Sequence, residues 1–304
     1  MMENVLVRLN RGEVIVGDGA WGTLLMQRSL KSGDSPESVN LTQPEVIAEI
    51  ASLYVDAGAE IVTTNTFGGS PLKLMLFSLQ DRTEEINRSA VEEARRAVGK
   101  RAYVSASVGP TGRLLKPLGD IDPEEMRAGF DRQIAALLGA GADMICVETM
   151  TDLQEAVLAV KAARSQAPRI PIMATMTFEQ NPRGFFTIMG VSVEKAVHGL
   201  EEAGSDIVGS NCGYGIETMT GIAREFRRVS SRPIAIQANA GLPVLRDGAT
   251  LYPETPEFFA DKAPDLLDAG VQIIGGCCGT GPDHIRALRR VVDARSTGKR
   301  GSQE

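Results

Sequence analysis

Three cysteines stand where cysteine could do chemistry. Cys212 follows the apolar run 206–210 (DIVGS) in Asn211-Cys212-Gly213, and Cys277 and Cys278 follow 271–275 (VQIIG) in Gly275-Gly276-Cys277-Cys278-Gly279-Thr280. Thiolates suit the borderline-soft zinc ion, and three of them leave one coordination position free, as catalytic zinc sites do. Glycine on either side lets two consecutive side chains turn toward one ion. The fourth cysteine, Cys146, lies inside the run 143–147 (DMICV) and is expected in the core, since a lone buried cysteine usually acts as a small hydrophobe. An iron–sulfur cluster would want a fourth cysteine, and adjacent cysteines make an uncomfortable disulfide. A zinc hydrolase would want histidine or carboxylate ligands, and the chain has only His198 and His284.

Two carboxylates, Asp18 and Glu148, each follow an apolar run. Either could cap a loop or helix, but a glutamate directly after a buried apolar strand is less easily explained that way. Together they could hold an ammonium group. Backbone amides of the Gly19–Thr23 turn, Gly19 and Ala20 first, could take a carboxylate, as anion-binding turns do. Zinc, an ammonium receptor and a carboxylate receptor point to an amino acid carrying a thiol, without choosing among such thiols. Asn65 and Thr149 are further candidate substrate contacts. Asn239 is either a turn residue or a weak fourth ligand and hydrogen-bond donor at the empty metal.

These residues need one scaffold. Continuously apolar, β-rich runs recur at 14–17, 60–64, 102–106, 143–147, 171–176, 206–210, 234–238 and 271–275, as strands buried on both faces should. Helical periodicity fills 44–57, 82–98, 123–140, 152–166 and 282–294, and prolines after residues such as Thr and Asp suggest capped helix starts. Ala57-Gly58-Ala59, Ala140-Gly141-Ala142, Ala203-Gly204-Ser205 and Ala269-Gly270-Val271 form a weak repeat joining helix to strand, with glycine suited to the left-handed position after a helix. Eight strands alternating with helices predict an α/β fold, a (β/α)8 TIM barrel, in which sites lie at the C-terminal strand ends. An open doubly wound sheet is the alternative, but neither a GxGxxG fingerprint nor a Walker loop is present. Length alone would allow two domains. The pattern instead predicts one, 1–304, with the barrel at about 12–294 and a polar, frayed tail at 295–304. Segments 18–43 and 239–254 are long enough to move.

The net charge of −7 argues against a nucleic-acid surface. No apolar run approaches a membrane span, the N-terminus lacks signal-peptide features, and the cysteine usage fits the cytoplasm.

The motifs Asp18-Gly19-Ala20-Trp21-Gly22-Thr23, Thr64-Asn65-Thr66-Phe67, Gly109-Pro110-Thr111-Gly112, Glu148-Thr149-Met150, Asn211-Cys212-Gly213 and Gly275–Thr280 resemble, in order, those of the homocysteine S-methyltransferase family, from about residue 12 to 292. The resemblance implies a zinc-dependent barrel that methylates homocysteine to methionine. Cys212, Cys277 and Cys278 would be the zinc ligands, Asp18 and Glu148 would meet the substrate amino group, and Gly19 and Ala20 its carboxylate. The zinc-bound homocysteine thiolate would attack a methyl donor. Family donors are a methylcorrinoid, a betaine, S-methylmethionine or S-adenosylmethionine. Asn239–Pro243 and the GPTG stretch are most similar to the homocysteine module of cobalamin-dependent methionine synthase, whereas Gly213-Tyr214-Gly215 departs from it. The chain has no room for a corrinoid domain, so methylcobalamin is expected on a separate corrinoid protein. A non-catalytic zinc- or thiol-binding subunit is the remaining alternative.

Overall fold

The computed structural model describes residues 2–28, 30, 33–246 and 249–300. Eight parallel strands form the expected barrel: β1 (Ile15–Val16), β2 (Ile61–Thr63), β3 (Tyr103–Val108), β4 (Met144–Met150), β5 (Ile172–Met176), β6 (Ile207–Gly215), β7 (Ile234–Asn239) and β8 (Val271–Gly276). Each pairs with its sequence neighbour, β8 returns to β1, and a parallel bridge from Gly17 to Ile61 closes β1 onto β2. Strand interiors are buried on both faces, which explains their unbroken apolar runs.

The predicted helices appear as Pro44–Asp56, Thr83–Val98, Pro123–Gly139, Leu153–Gln166 and Pro282–Arg300. The last corrects the expectation of a frayed tail from 295: the helix continues to Arg300, with Arg295 paired to Asp268, and 301–304 lie outside the described residues. The four repeat glycines, Gly58, Gly141, Gly204 and Gly270, all have φ between 86° and 108°, the left-handed turn that lets each helix feed the next strand. Thr255 caps its helix by accepting from Phe258 N, but Asp122 does not, because its carboxylate pairs with Lys116 instead.

Two layers fill the barrel. A short helix, Val5–Asn10, plugs the N-terminal end and packs Val5 and Leu9 against Ile15, Ile61, Tyr103, Met144, Met173, Ile207 and Ile273. Cys146 belongs to this apolar floor, as expected, and burial pushes its thiol well above the ordinary range. Toward the C-terminal end the interior turns polar, with Thr63, Ser107, Thr175, Asn211 and Gln237 buried there. Two antiparallel hairpins that strand periodicity did not reveal rise from this end, Glu179–Asn181 with Gly184–Phe186 after β5, and Val244–Arg246 with Ala249–Leu251 after β7. Among the described residues, no helix is long and apolar enough to cross a membrane.

Candidate active site

A cavity of about 290 Å³ opens at the C-terminal strand ends. Of the predicted site residues, Asp18, Gly19, Ala20, Asn65, Glu148, Thr149, Cys212, Cys277 and Cys278 all line it. Asn239 is buried and is not among the lining residues.

The three cysteines converge. Their sulfurs lie within 4.8 Å of one another, and Cys212 Sγ is 3.9 Å from Cys278 Sγ. Local backbone brings them there. Cys212 lies within β6, not after it, where the ladder to β7 slips between Asn211 and Gly215, and it adopts φ 61°. Left-handed backbone is costly for a residue with a Cβ and clusters at functional sites. Cys277 N donates to Ala238 O at 2.7 Å, and Ala240 N to Cys278 O at 2.9 Å, fixing the pair against β7. The flanking glycines are required by space: a Cβ at Gly276 would lie 2.2 Å from Thr280 Oγ1, and one at Gly279 2.1 Å from the Tyr252 ring.

The thiols cannot ionise independently. Cys212 is pushed down, first by hydrogen bonds from Cys277 and Cys278 and also by Gly213 N–H and the Asn239 amide. Cys277 and Cys278 are pushed up by their hydrogen bonding to the ionised Cys212. The unmetallated cluster therefore loses one proton easily and holds the rest, and a divalent cation would supply the charge needed to release them. The buried Asn239 Oδ1 has no partner among the described residues, which fits a weak donor beside such an ion.

Asp18 and Glu148 form the second half of the cavity. The Asp18 carboxylate accepts Thr63 N–H and the Thr63 hydroxyl, each at 2.7 Å, and Trp21 Nε1 at 2.8 Å. Burial nevertheless raises its pKa to about 6. Glu148 accepts from the Ser107 hydroxyl, and burial, with the Asp18 charge adding, raises it to about 7. Two mutually repelling carboxylates, Asp18 buried and Glu148 half-buried at the cavity, suit a cationic ligand. Glu148 and Thr149 lie inside β4, not beyond it, at a slip in the ladder to β5 where Thr149 takes φ 58°.

Two of these residues carry hydrogen bonds that the sequence does not show. Ala20 lines the cavity, but its N–H donates to Thr280 O at 3.2 Å, leaving Gly19 and the first turn of the helix Trp21–Arg28 for a carboxylate. The Asn65 amide nitrogen is committed to Pro36 O at 2.7 Å and Asn40 Oδ1 at 2.8 Å, so it stitches the first βα loop to the second. Residues absent from the sequence-based set also line the cavity, notably Glu37, Gln237 and Tyr252. Glu37 accepts from Gly68 N at 2.6 Å. None has a periodicity or motif that marks it; only the approach of distant loops does.

A closed parallel barrel whose mouth joins a metal-competent trio of thiols to two desolvated carboxylates defines the class of this protein. Comparison with known proteins gives the family: the homocysteine S-methyltransferase model matches residues 15–292, and the chain belongs to that family. It is 33% identical over 296 residues to methionine synthase from Mycobacterium leprae and 34% identical over 296 residues to that from Mycobacterium tuberculosis. Each match covers 92% of this chain and 24% of the relative, so the chain spans about a quarter of their length. The metallated form of the homocysteine methyltransferase MmuM from Escherichia coli superposes with a TM-score of 0.77 at 24% identity, covering 93% of this chain and 98% of that one. The oxidised form gives 0.78 at 25% identity, covering 95% and 99%.

Proposed function

We propose that the chain is the homocysteine-binding barrel of a zinc-dependent S-methyltransferase that makes methionine, with methylcobalamin on a separate corrinoid protein as the methyl donor. The observation that carries this reading is one cavity lined by three clustered thiols and by Asp18 and Glu148. The donor set fits zinc: three sulfurs at mutual ligand distance, with the Asn239 amide oxygen, unpartnered among the described residues, nearby. When bound, zinc would supply the positive charge that keeps a fourth sulfur ionised near neutral pH.

The chain's own residues do the rest. Asp18 and Glu148 hold the substrate ammonium and place its thiol toward the cysteines. Gly19 and the following helix turn offer N–H groups to its carboxylate. Thr63, Trp21 and Ser107 keep both carboxylates aimed into the cavity.

The cavity rim supports a bulky donor. Met26 and Phe67 are exposed large apolar side chains that line the cavity, and Leu118, Ile188 and Leu245 are further exposed apolar side chains on segments that follow C-terminal strand ends. Exposed apolar side chains at a cavity mouth suit contact with a partner or a bulky ligand.

Metal analysis together with methionine formation tests the reading, with free methylcobalamin, S-methylmethionine, S-adenosylmethionine and betaine supplied in turn. About one zinc per chain and turnover with methylcobalamin are expected. Turnover with another donor alone would replace the corrinoid, and bound zinc and homocysteine without turnover on any donor would favour a non-catalytic subunit.

A further inference from the structure

We propose that Asn211 is a positioning residue of this site, locking Thr149 in its left-handed conformation and thereby aiming Glu148. The inference rests on the reading that Glu148 receives the homocysteine ammonium.

Asn211 is fully buried at the point where β6 departs from its ladder. Its Oδ1 accepts from Thr149 N at 2.8 Å and from the Thr175 hydroxyl at 2.8 Å. A backbone N–H can only donate, so the atom facing it is the oxygen and the amide's orientation is fixed. Its Nδ2 then donates to Thr149 Oγ1 at 2.7 Å and faces Glu148 Oε2 at 3.4 Å and Cys277 Sγ at 3.9 Å. One amide thus grips Thr149 by both its backbone and its side chain.

That grip falls where the backbone needs it. Among the described residues only Ser78, Thr149 and Cys212 are non-glycine residues with left-handed φ, and Asn211 binds the second and immediately precedes the third. Such conformations persist when surrounding contacts over-determine them. Released from Asn211, Thr149 would relax toward ordinary β geometry and turn the neighbouring Glu148 away from the cavity. Cys212 directly follows Asn211 and Cys277 Sγ lies 3.9 Å from its amide, but Cys277 and Cys278 are fixed independently through Ala238 O and Ala240 N, so metal binding should survive.

The test uses zinc-loaded protein, measuring homocysteine affinity by calorimetry, KM and kcat separately, and zinc per chain. In Asn211→Ala, zinc stays near one per chain while homocysteine Kd and KM rise about tenfold, the effect of losing a buried hydrogen-bonded contact, and kcat falls much less. Thr149→Gly weakens homocysteine binding several-fold less in the Asn211→Ala background than in the wild type, because the contact it would break is already gone. Should Asn211→Ala fail to fold, Asn211→Ser, which is uncharged and too short to hold both the N–H and the hydroxyl of Thr149, is expected to show the same loss of affinity. Wild-type homocysteine affinity in a folded, zinc-loaded variant overturns the proposal. So does loss of zinc in parallel with loss of homocysteine binding, or equal effects of Thr149→Gly in both backgrounds. Failure of the wild-type protein itself to bind homocysteine overturns the functional reading beneath it, and the proposal with it.

Discussion

Thr63 holds the Asp18 carboxylate with its backbone N–H on one oxygen and its hydroxyl on the other, both at 2.7 Å. This joins the end of β1 to the end of β2 and fixes an acid that burial would otherwise disfavour as a charge. Thr63→Val keeps the shape and the N–H but removes the hydroxyl. Asp18 should then titrate higher still, and homocysteine affinity at pH 7 should fall about tenfold on calorimetry, since hydrogen bonds to charged groups contribute about 1.5–3 kcal/mol. Unchanged affinity would show that the hydroxyl does not support the charged form.

The two raised carboxylates set a pH dependence. Asp18 is raised to about 6 and Glu148 to about 7, both above their ordinary values near 4, so the folded protein binds more protons than the unfolded chain between those limits. Their contribution to stability is therefore full below about pH 4 and is lost as pH rises through 6 to 7. Thermal melting from pH 5 to 7.5 should show a downward slope that Glu148→Gln flattens. A slope identical in the variant would remove Glu148 as its source.

A ligand bearing an ammonium group should show the opposite trend. Binding of 2-aminobutyrate, which lacks the thiol and so leaves sulfur titration aside, should strengthen from pH 5.5 to 7.5 as Asp18 and Glu148 ionise. Affinity flat across this range would argue that neither carboxylate meets the amino group.

The cysteines should divide three to one. Cys212→Ala and Cys278→Ala should each lose zinc by metal analysis, whereas Cys146→Ala should retain about one zinc per chain. The latter should cost about 1 kcal/mol of stability in a denaturant melt, the scale for a small cavity in an apolar floor. Full zinc in a Cys277→Ala, Cys278→Ala double variant would refute the assigned ligands.

Gly279 is required twice over. Its φ is 80°, and an added Cβ would meet the Tyr252 ring at 2.1 Å. Gly279→Ala should therefore shift Cys278 or displace Tyr252, and zinc affinity measured by chelator competition should fall at least about tenfold, given the 1–2 kcal/mol cost of left-handed backbone alone. Wild-type affinity would mean the turn adapts without moving the ligand.

The barrel was legible in the chain because its strands are buried on both faces and so read as unbroken apolar runs, and because the glycine at each repeated helix end has to be left-handed. Cys146 was separable from the other cysteines because it sits within such a run, while Cys212, Cys277 and Cys278 stand in glycine-rich sequence beyond or at its end. The hairpins after β5 and β7 were missed because three-residue strands carry too little periodicity to detect.

Residue type and spacing by themselves determined the scaffold, the trio of thiols and the pair of acids, since each follows from local burial pattern or ligand chemistry. The tertiary structure alone decided how each polar group is used. It turned the Ala20 amide to Thr280, tied Asn65 to the 36–40 segment, and set Asn211 between Thr149 and the thiols. Those partners lie tens to hundreds of residues apart, and a hydrogen bond depends on the position of its second atom, which no local pattern specifies.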